Sequence, residues 1–375
     1  MNILVANLGS TSFKFRLFRF DGAGEATLLA KGGYERVADQ GKAIDDCLAE
    51  LRAAGHVRTA ADLHGVGFKA VLGKNLTGCV LADDRAIAAL EGMREIAPAH
   101  NPAYAEGIRR FRAKLPGVPL VALFETAFYQ WLPEAATRYA VPEAWYQAGV
   151  RRYGYHGASH KFIAERSAEL LGRPDIAARV RHLYPASSSV AGMRDGVAIG
   201  SSMGLSPQSG LPHNNRVGDL DSAAVPFVMK TLGLPLAEVE RQLTKESGLL
   251  GLSGLSNDLR DLRAAADQGH ARAQLALDVL VHSARHWIGS LFFALNGCDA
   301  LVFTAGIGEN NPALRAAICA DLDQLGLVLD PARNAATRAE GEISAPHSRV
   351  KVFVIPANEE LVVARETRRA LTPPQ

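Results

Sequence analysis

Hydrophobic and polar positions fall into a strand pattern at the very start of the chain. Residues 2–6 form a β-branched apolar run, and NLGSTS follows as a turn of small residues. Phe13, Phe15, Leu17 and Phe18 then form a second run that alternates up to Leu17. This predicts strand, turn, strand. Helical spacing follows over 43–53 and 85–96. Asn101-Pro102 reads as an N-cap with proline at the first helical position, ahead of Ala105, Ile108 and Phe111. Residues 119–124 suit a buried strand, and 159–171 a helix stopped by Gly172. RHLYPASSSVAGMRDGVAI then repeats the strand-turn-strand opening, with a tight turn at Arg194-Asp195-Gly196, so two related halves are predicted. Residues 258–294 are mainly helical and 300–304 a strand. Asn311-Pro312 opens a helix for Gly326 to end, and the strand 350–355 leads through PANEE into a short helix. Between them, 200–222 carries four Gly and five Ser. That is too long for a simple connector, and loops of this length tend to be functional.

Composition narrows the class. A chain of 375 residues favours two domains, and 48% hydrophobic with 21% charged residues is ordinary for a globular protein. Lys+Arg 41 against Asp+Glu 39 gives +2, which offers no bulk attraction to nucleic acid or membrane, so neither is expected as a partner. The N-terminus does not read as a signal peptide. The richest apolar stretch, 275–302, is interrupted by Asp278, His282, Arg285 and His286. Cys47, Cys79, Cys298 and Cys319 form no C-x-x-C pair. A zinc site or disulfide framework is therefore not expected, and a reducing cytoplasm is.

Four small-residue turns stand directly after strand signals: 7–14, 186–189, 305–310 and 356–360. Such turns let backbone N–H groups approach phosphate oxygens, although each alone is more often a structural turn and only several together point to a nucleotide. There is no GxxxxGK[ST] and no GxGxxG at a first βαβ unit, which disfavours P-loop and dinucleotide folds. Strand alternation puts Ser12 and Lys14 on one face, where the lysine is either a phosphate partner or an exposed strand lysine. Carboxylates placed for Mg²⁺ beside such turns are Glu125, Glu359 and Glu360, each also suited to a helix N-terminus. Arg151, Arg152, Arg216 and Arg260 are cations for a transferring phosphoryl group. Arg216 lies in a long, nearly uncharged loop. His156 and His160 are spaced i, i+4 without a third metal ligand, so donation to a phosphoryl oxygen suits them better than zinc.

These segments together resemble the acetate kinase family, within the actin/hexokinase/heat-shock ATPase superfamily. The likeness covers nearly the whole chain. It is carried by NLGSTSFK, IAPAHNPA, VALFETAF, RRYGYHGASHK, SSMGLSPQSGL, SGLSNDLRDL, VFTAGIGENN and VFVIPANEELVVARET, in matching order and spacing. The resemblance implies an α/β protein of two ribonuclease H-like (actin-like ATPase) domains. Each would be a mixed five-stranded sheet with flanking helices, with the active site in the interdomain cleft. It implies an N-terminal acyl-side domain of 1–124 plus 361–375 and a C-terminal nucleotide-binding domain of 125–360. The implied activity is Mg²⁺-dependent phosphoryl transfer between ATP/ADP and a small carboxylate, in a homodimer. Asn7 and Glu359 would organise the metal. Ser10, Ser12, Lys14 and His182 would face phosphates. Asp258, Leu259, Arg260, Gly306, Ile307, Gly308, Glu309 and Asn310 would hold the nucleotide. His156 and Arg216 would stabilise the phosphoryl group in flight. Glu125 takes the position of the family's catalytic Asp, one methylene longer. Lys69, His100 and His160 would line the acyl pocket.

Two segments depart from the family. Its GHRVVHGG is here GFKAVLGK, so Phe68 and Lys69 replace His and the Arg that clamps the substrate carboxylate. A lysine is a point charge without the bidentate fork of arginine. Its HLGNGSS loop is here HLYPASSS, where Tyr184, Pro185 and Ala186 replace Gly, Asn and Gly. Proline removes an N–H there. The altered clamp leaves open a kinase for a different small acceptor, and the altered loop a nucleotide-binding paralogue without activity.

Overall fold

The computed structural model describes residues 1–22, 25–98, 100–173, 181–185 (backbone only) and 189–372. The chain divides into two compact units. The first is Met1–Gln130, Tyr155–Phe162 and Asn358–Gln375; the second is Trp131–Gly154 with Ile163–Ala357.

The first unit is built on β1 (Asn2–Leu8), β2 (Ser12–Phe20), β3 (Ala26–Glu35), β4 (Gly65–Ala70), β5 (Cys79–Leu81) and β6 (Leu120–Phe124). Their order is β3-β2-β1-β4-β6-β5. β1, β2 and β3 form an antiparallel meander, while β4 and β6 extend it in parallel. The alternation read from the sequence sorts the two faces. Phe13 and Phe15 join Tyr34, Phe68 and Phe111 in an aromatic layer, with Phe68 and Phe111 edge to face at 5.3 Å. Ile3, Val5, Phe18 and Phe20 pack instead with Val362, Val363 and Ala364 of the helix Glu359–Leu371. Burial of such side chains stabilises by about 1.5–3 kcal/mol each.

The second unit repeats the plan with β7 (Arg181–Pro185), β8 (Val190–Arg194), β9 (Val197–Ser201), β10 (Ala300–Phe303), β11 (Gly341–Glu342) and β12 (Lys351–Val354). Their order is β11-β12-β10-β7-β8-β9. The hairpin β8–β9 turns through Asp195 and Gly196, both at positive φ (53° and 78°), as a two-residue turn requires. The long helix Ala271–Leu295 lays Ala273, Ala276, Leu277, Leu280, Ala284, Ile288, Leu291 and Leu295 into the core at helical spacing.

Among the described residues, each sheet holds the expected five mixed strands plus one more. The addition is a short antiparallel edge strand, β5 or β11, laid beside the last parallel strand. Four local expectations are corrected. Helix Asn101–Lys114 begins at Asn101, with His100 as its N-cap residue, because the Asn101 amide is used elsewhere: it donates to Leu72 O and Leu90 O, both at 2.8 Å. The helix read over 85–96 is Asp84–Gly92, capped by Asp83. The helix from Pro312 ends at Cys319, where Arg285 donates to the carbonyls of Ile318 and Ala320; Gly326 instead closes a separate 3₁₀ turn. Residues 305–310 form a short helix rather than a loop, entered through Ala305 at φ 58°. Among the described residues no helix is long and apolar enough to cross a membrane.

Candidate active site

Parallel register assembles the first unit's polar cluster. Ala6 pairs with Phe68, and Lys69 with Leu123. Asn7, Lys69 and Glu125 therefore follow one another across the carboxyl ends of β1, β4 and β6. Lys69 Nζ lies 3.3 Å from Glu125 Oε1 and donates to Glu359 Oε2. Burial alone would lower the lysine, but Glu125 and Glu359 outweigh it and hold the ammonium well above its ordinary range. Glu359 is likewise penalised by burial, yet Lys69 and His156 bring its carboxyl below the usual range. Glu125 is buried at the start of a 3₁₀ turn, and its Oε2 has no hydrogen-bond partner among the described residues. Asn7 Oδ1 accepts from Tyr104 Oη at 2.8 Å.

His156 and His160 open the helix Gly157–Leu170, and His156 stands in the left-handed region at φ 60°. A Cβ on Gly157 would meet Glu125 O at 2.2 Å, so this glycine is what lets the helix start against the Glu125 turn. His160 is fully buried beside Phe128 and Tyr129; burial, with His156 adding to it, pushes its imidazole down to about 3. His100 is exposed at the start of helix Asn101–Lys114.

The NLGSTS turn closes on itself through Gly9 N to Ser12 O at 2.8 Å and is tied to the helix Gln40–Ala53 by Gln40 Nε2 to Gly9 O at 2.9 Å. Ser10 is exposed and Ser12 half-buried. Lys14 pairs across from Asn7, and its ammonium lies 3.2 Å from Glu35 in solvent. Arg16 shares the Ser12 and Lys14 face, donates to Asn358 Oδ1 at 3.0 Å and lies 3.5 Å from Glu360. Lys74, where the family motif carries glycine, takes φ 57°.

In the second unit, Arg216 is held by its backbone. His213 N donates to Arg216 O, Leu249 N to His213 O and Val217 N to Leu243 O. Gly248, at φ 61°, sits directly beneath this turn. Asp219 clamps the same loop, accepting from Gly210 N and from Trp287 Nε1, each at 2.9 Å. The Arg216 side chain is half-buried and makes no ion pair with any described residue. Burial lowers its guanidinium, which stays charged. Asn214 Nδ2 donates to Asn257 O, joining this turn to the segment carrying Asp258. Asp258 caps the helix Leu259–Asp267 and pairs with exposed Arg260, which brings its carboxyl down to about 2. Leu259 is a core residue. Gly306 and Asn310 are exposed on the helix Ala305–Asn310, Ile307 packs against the core and Gly308 is buried. Glu309 Oε1 accepts from Ala357 N, tying this helix to PANEE. Fully buried Arg315 donates to Gly308 O and Glu309 O. His182 lies in β7, paired with Ala300; its side chain, and residues 186–188 of the ASSS turn, lie outside the described residues.

Sequence reasoning brought Lys69, Glu125 and Glu359 forward separately and missed Tyr104, Arg16, Asp219 and Arg315. Strand alternation would have found Arg16, two residues beyond Lys14. Tyr104, Asp219 and Arg315 make contacts distant in sequence and leave no local signal.

The donors in the first unit suit a hard cation. They are the Asn7 amide oxygen and the carboxylates of Glu359 and Glu125, the latter with Oε2 unpartnered among the described residues. Among the described residues no three His, Cys, Asp or Glu side chains are grouped to hold a metal by themselves. A cation there would complete its shell with phosphate and water oxygens.

Two sheets with one strand order make this a protein of two actin-like ATPase domains. The model of the Acetokinase family matches residues 2–365. The acetate kinase of Geobacillus kaustophilus is 40% identical, over 98% of each chain. That of Staphylococcus haemolyticus is 39% identical, over 97% of this chain and 98% of its own. Among solved structures, Porphyromonas gingivalis acetate kinase superposes with a TM-score of 0.89 at 33% identity, covering 99% of this chain and 100% of that one. A propionate kinase from Francisella tularensis gives 0.86 at 31%, covering 98% and 99%. The chain belongs to the acetokinase family.

Proposed function

We propose that this kinase, which transfers a phosphoryl group between ATP and a carboxylate with Mg²⁺, takes acetate or a similarly short carboxylate as its acceptor. One acceptor oxygen attacks the γ-phosphorus in line. The P–O bond to the β-phosphate breaks, and ADP leaves with the electron pair. The acceptor is already ionised at neutral pH, so no general base is needed. Mg²⁺, when bound, would supply positive charge that offsets the charge of the phosphates.

The roles of the chain's own groups follow. Asn7 and Glu359 hold the metal. Ser10, Ser12, Lys14 and His182 attend the phosphates, and the segments 258–260 and 306–310 hold the nucleotide. His156 donates to the phosphoryl oxygens. Glu125 orients the metal side of the site, and Lys69, His100 and neutral His160 line the acyl side. The acyl-side body, expected over 1–124 and 361–375, is assigned to the first unit, which also takes in residues 125–130, 155–162 and 358–360, and the nucleotide body to the second.

The observation that carries the reading is Arg216: a half-buried guanidinium on a backbone-fixed turn, with no carboxylate among the described residues to neutralise it. Such a cation suits an anion that arrives with the substrate. The test is ADP release with acetate, propionate, butyrate and hydroxy acids, alongside Arg216→Ala. We expect turnover on the short acids and a loss of about 10³-fold in kcat for the variant. Unchanged turnover in Arg216→Ala would remove this residue from the mechanism.

The same reading includes a homodimer in the cytoplasm. Helix Ala224–Leu232 supports the dimer, because none of its residues is buried and Phe227 and Leu232 are 67% and 65% exposed. The four free cysteines suit a reducing compartment.

A further inference from the structure

The first unit carries a cation of its own among the oxygens that suit a metal. Lys69 Nζ bridges Glu359 Oε2 and Glu125 Oε1, the latter at 3.3 Å, and only 19% of its side chain is exposed. Register places Lys69 beside Asn7, whose Oδ1 is held by Tyr104. Glu125 Oε2 is buried and has no hydrogen-bond partner among the described residues. The two carboxylates carry two negative charges, and the ammonium cancels one of them. A divalent ion entering beside Glu359 meets a like charge at contact distance and must compete with a cation that is covalently tethered.

From this we infer that Lys69 is a resident counter-ion in the metal subsite: a divalent ion binds only as the ammonium leaves Glu359. The inference rests on the assignment of Glu359 to the metal. A lysine suits this role because its flexible four-carbon stem carries a single point charge that can swing away. Released from Glu359, the same ammonium is free to meet the carboxylate of the acceptor. Metal arrival and acceptor capture are then linked through one side chain. The Glu125 carboxylate meets the ammonium from the end of β6.

The test uses the full chain without nucleotide and reads Mn²⁺ binding by electron paramagnetic resonance. Lys69→Met removes the tethered charge and is expected to bind Mn²⁺ at least about tenfold more tightly than the unaltered protein. Lys69→Arg keeps a cation and is expected to stay within about threefold. Equal or weaker affinity in Lys69→Met overturns the inference. Glu359→Gln tests the underlying assignment separately. Loss of Mn²⁺ binding supports it, while binding that persists in Glu359→Gln overturns that assignment and the inference with it. A second measurement needs no substitution: acetylation of Lys69 by an N-hydroxysuccinimide ester, followed by mass spectrometry. Labelling is expected to rise severalfold when Mn²⁺ is added, and labelling indifferent to Mn²⁺ overturns the inference.

Discussion

His160 shows how burial sets chemistry at one residue. Its imidazole is pushed from 6.5 to about 3, first by desolvation and then by His156. It is therefore neutral in the folded protein at any working pH. Below about pH 6.5 the unfolded chain takes up a proton that the folded chain refuses. The stabilising contribution is thus fully present above pH 6.5 and is lost as the pH falls towards 3. The limiting slope is about 1.4 kcal/mol per pH unit. Urea unfolding at pH 7 and pH 5 measures this, and His160→Phe, packed against Phe128 and Tyr129, is expected to flatten the difference. The i, i+4 spacing of His156 and His160 was plain in the sequence, but which of the two would be buried was not. Helical spacing says which side chains share a face and is silent on what covers it. Lys69 was likewise visible only as a departure from a motif, because its partners come from residues 125 and 359.

At the scale of elements, close approach of backbone decides more than propensity. A methyl group on Gly157 would drive into Glu125 O at 2.2 Å and Phe128 Cβ at 2.9 Å. Gly157→Ala is expected to cost about 1–3 kcal/mol of stability, read as a lower denaturant midpoint, and to lower kcat by moving Glu125. A midpoint within error of the unaltered protein would show that the 3₁₀ turn yields freely. The same effect explains why β4 escaped the sequence pattern. A Cβ on Gly67 would meet Thr367 Oγ1 at 2.3 Å, so the strand gives up side chains to admit the helix Glu359–Leu371 and carries too few of them to show a strand period. Residues 305–310 misled in the opposite way. Their small side chains suggest a loop, whereas Arg315 donates to two carbonyls at the end of this short helix.

At the scale of the molecule, the repeated strand-turn-strand opening foretold two sheets of one order. It showed the first two strands of each, and β6, β10 and β12 read as apolar runs of their own, whereas β5 and β11 are too short to carry a period. The proposed dimer belongs to this scale. Replacing Phe227 by aspartate puts a charge on the exposed apolar helix Ala224–Leu232. Sedimentation equilibrium is expected to show a dimer for the unaltered chain and at least about tenfold weaker association for the variant. An unchanged dimer would place the contact elsewhere. The Asp219 clamp has an optical consequence. Of the three tryptophans, Trp131 and Trp145 are largely exposed, at 72% and 56%, whereas Trp287 donates its indole N–H to the carboxylate that fastens the Arg216 loop. With Trp131 and Trp145 replaced by phenylalanine, the remaining fluorophore becomes an intrinsic reporter, its emission wavelength following any loosening of that loop as ligands arrive.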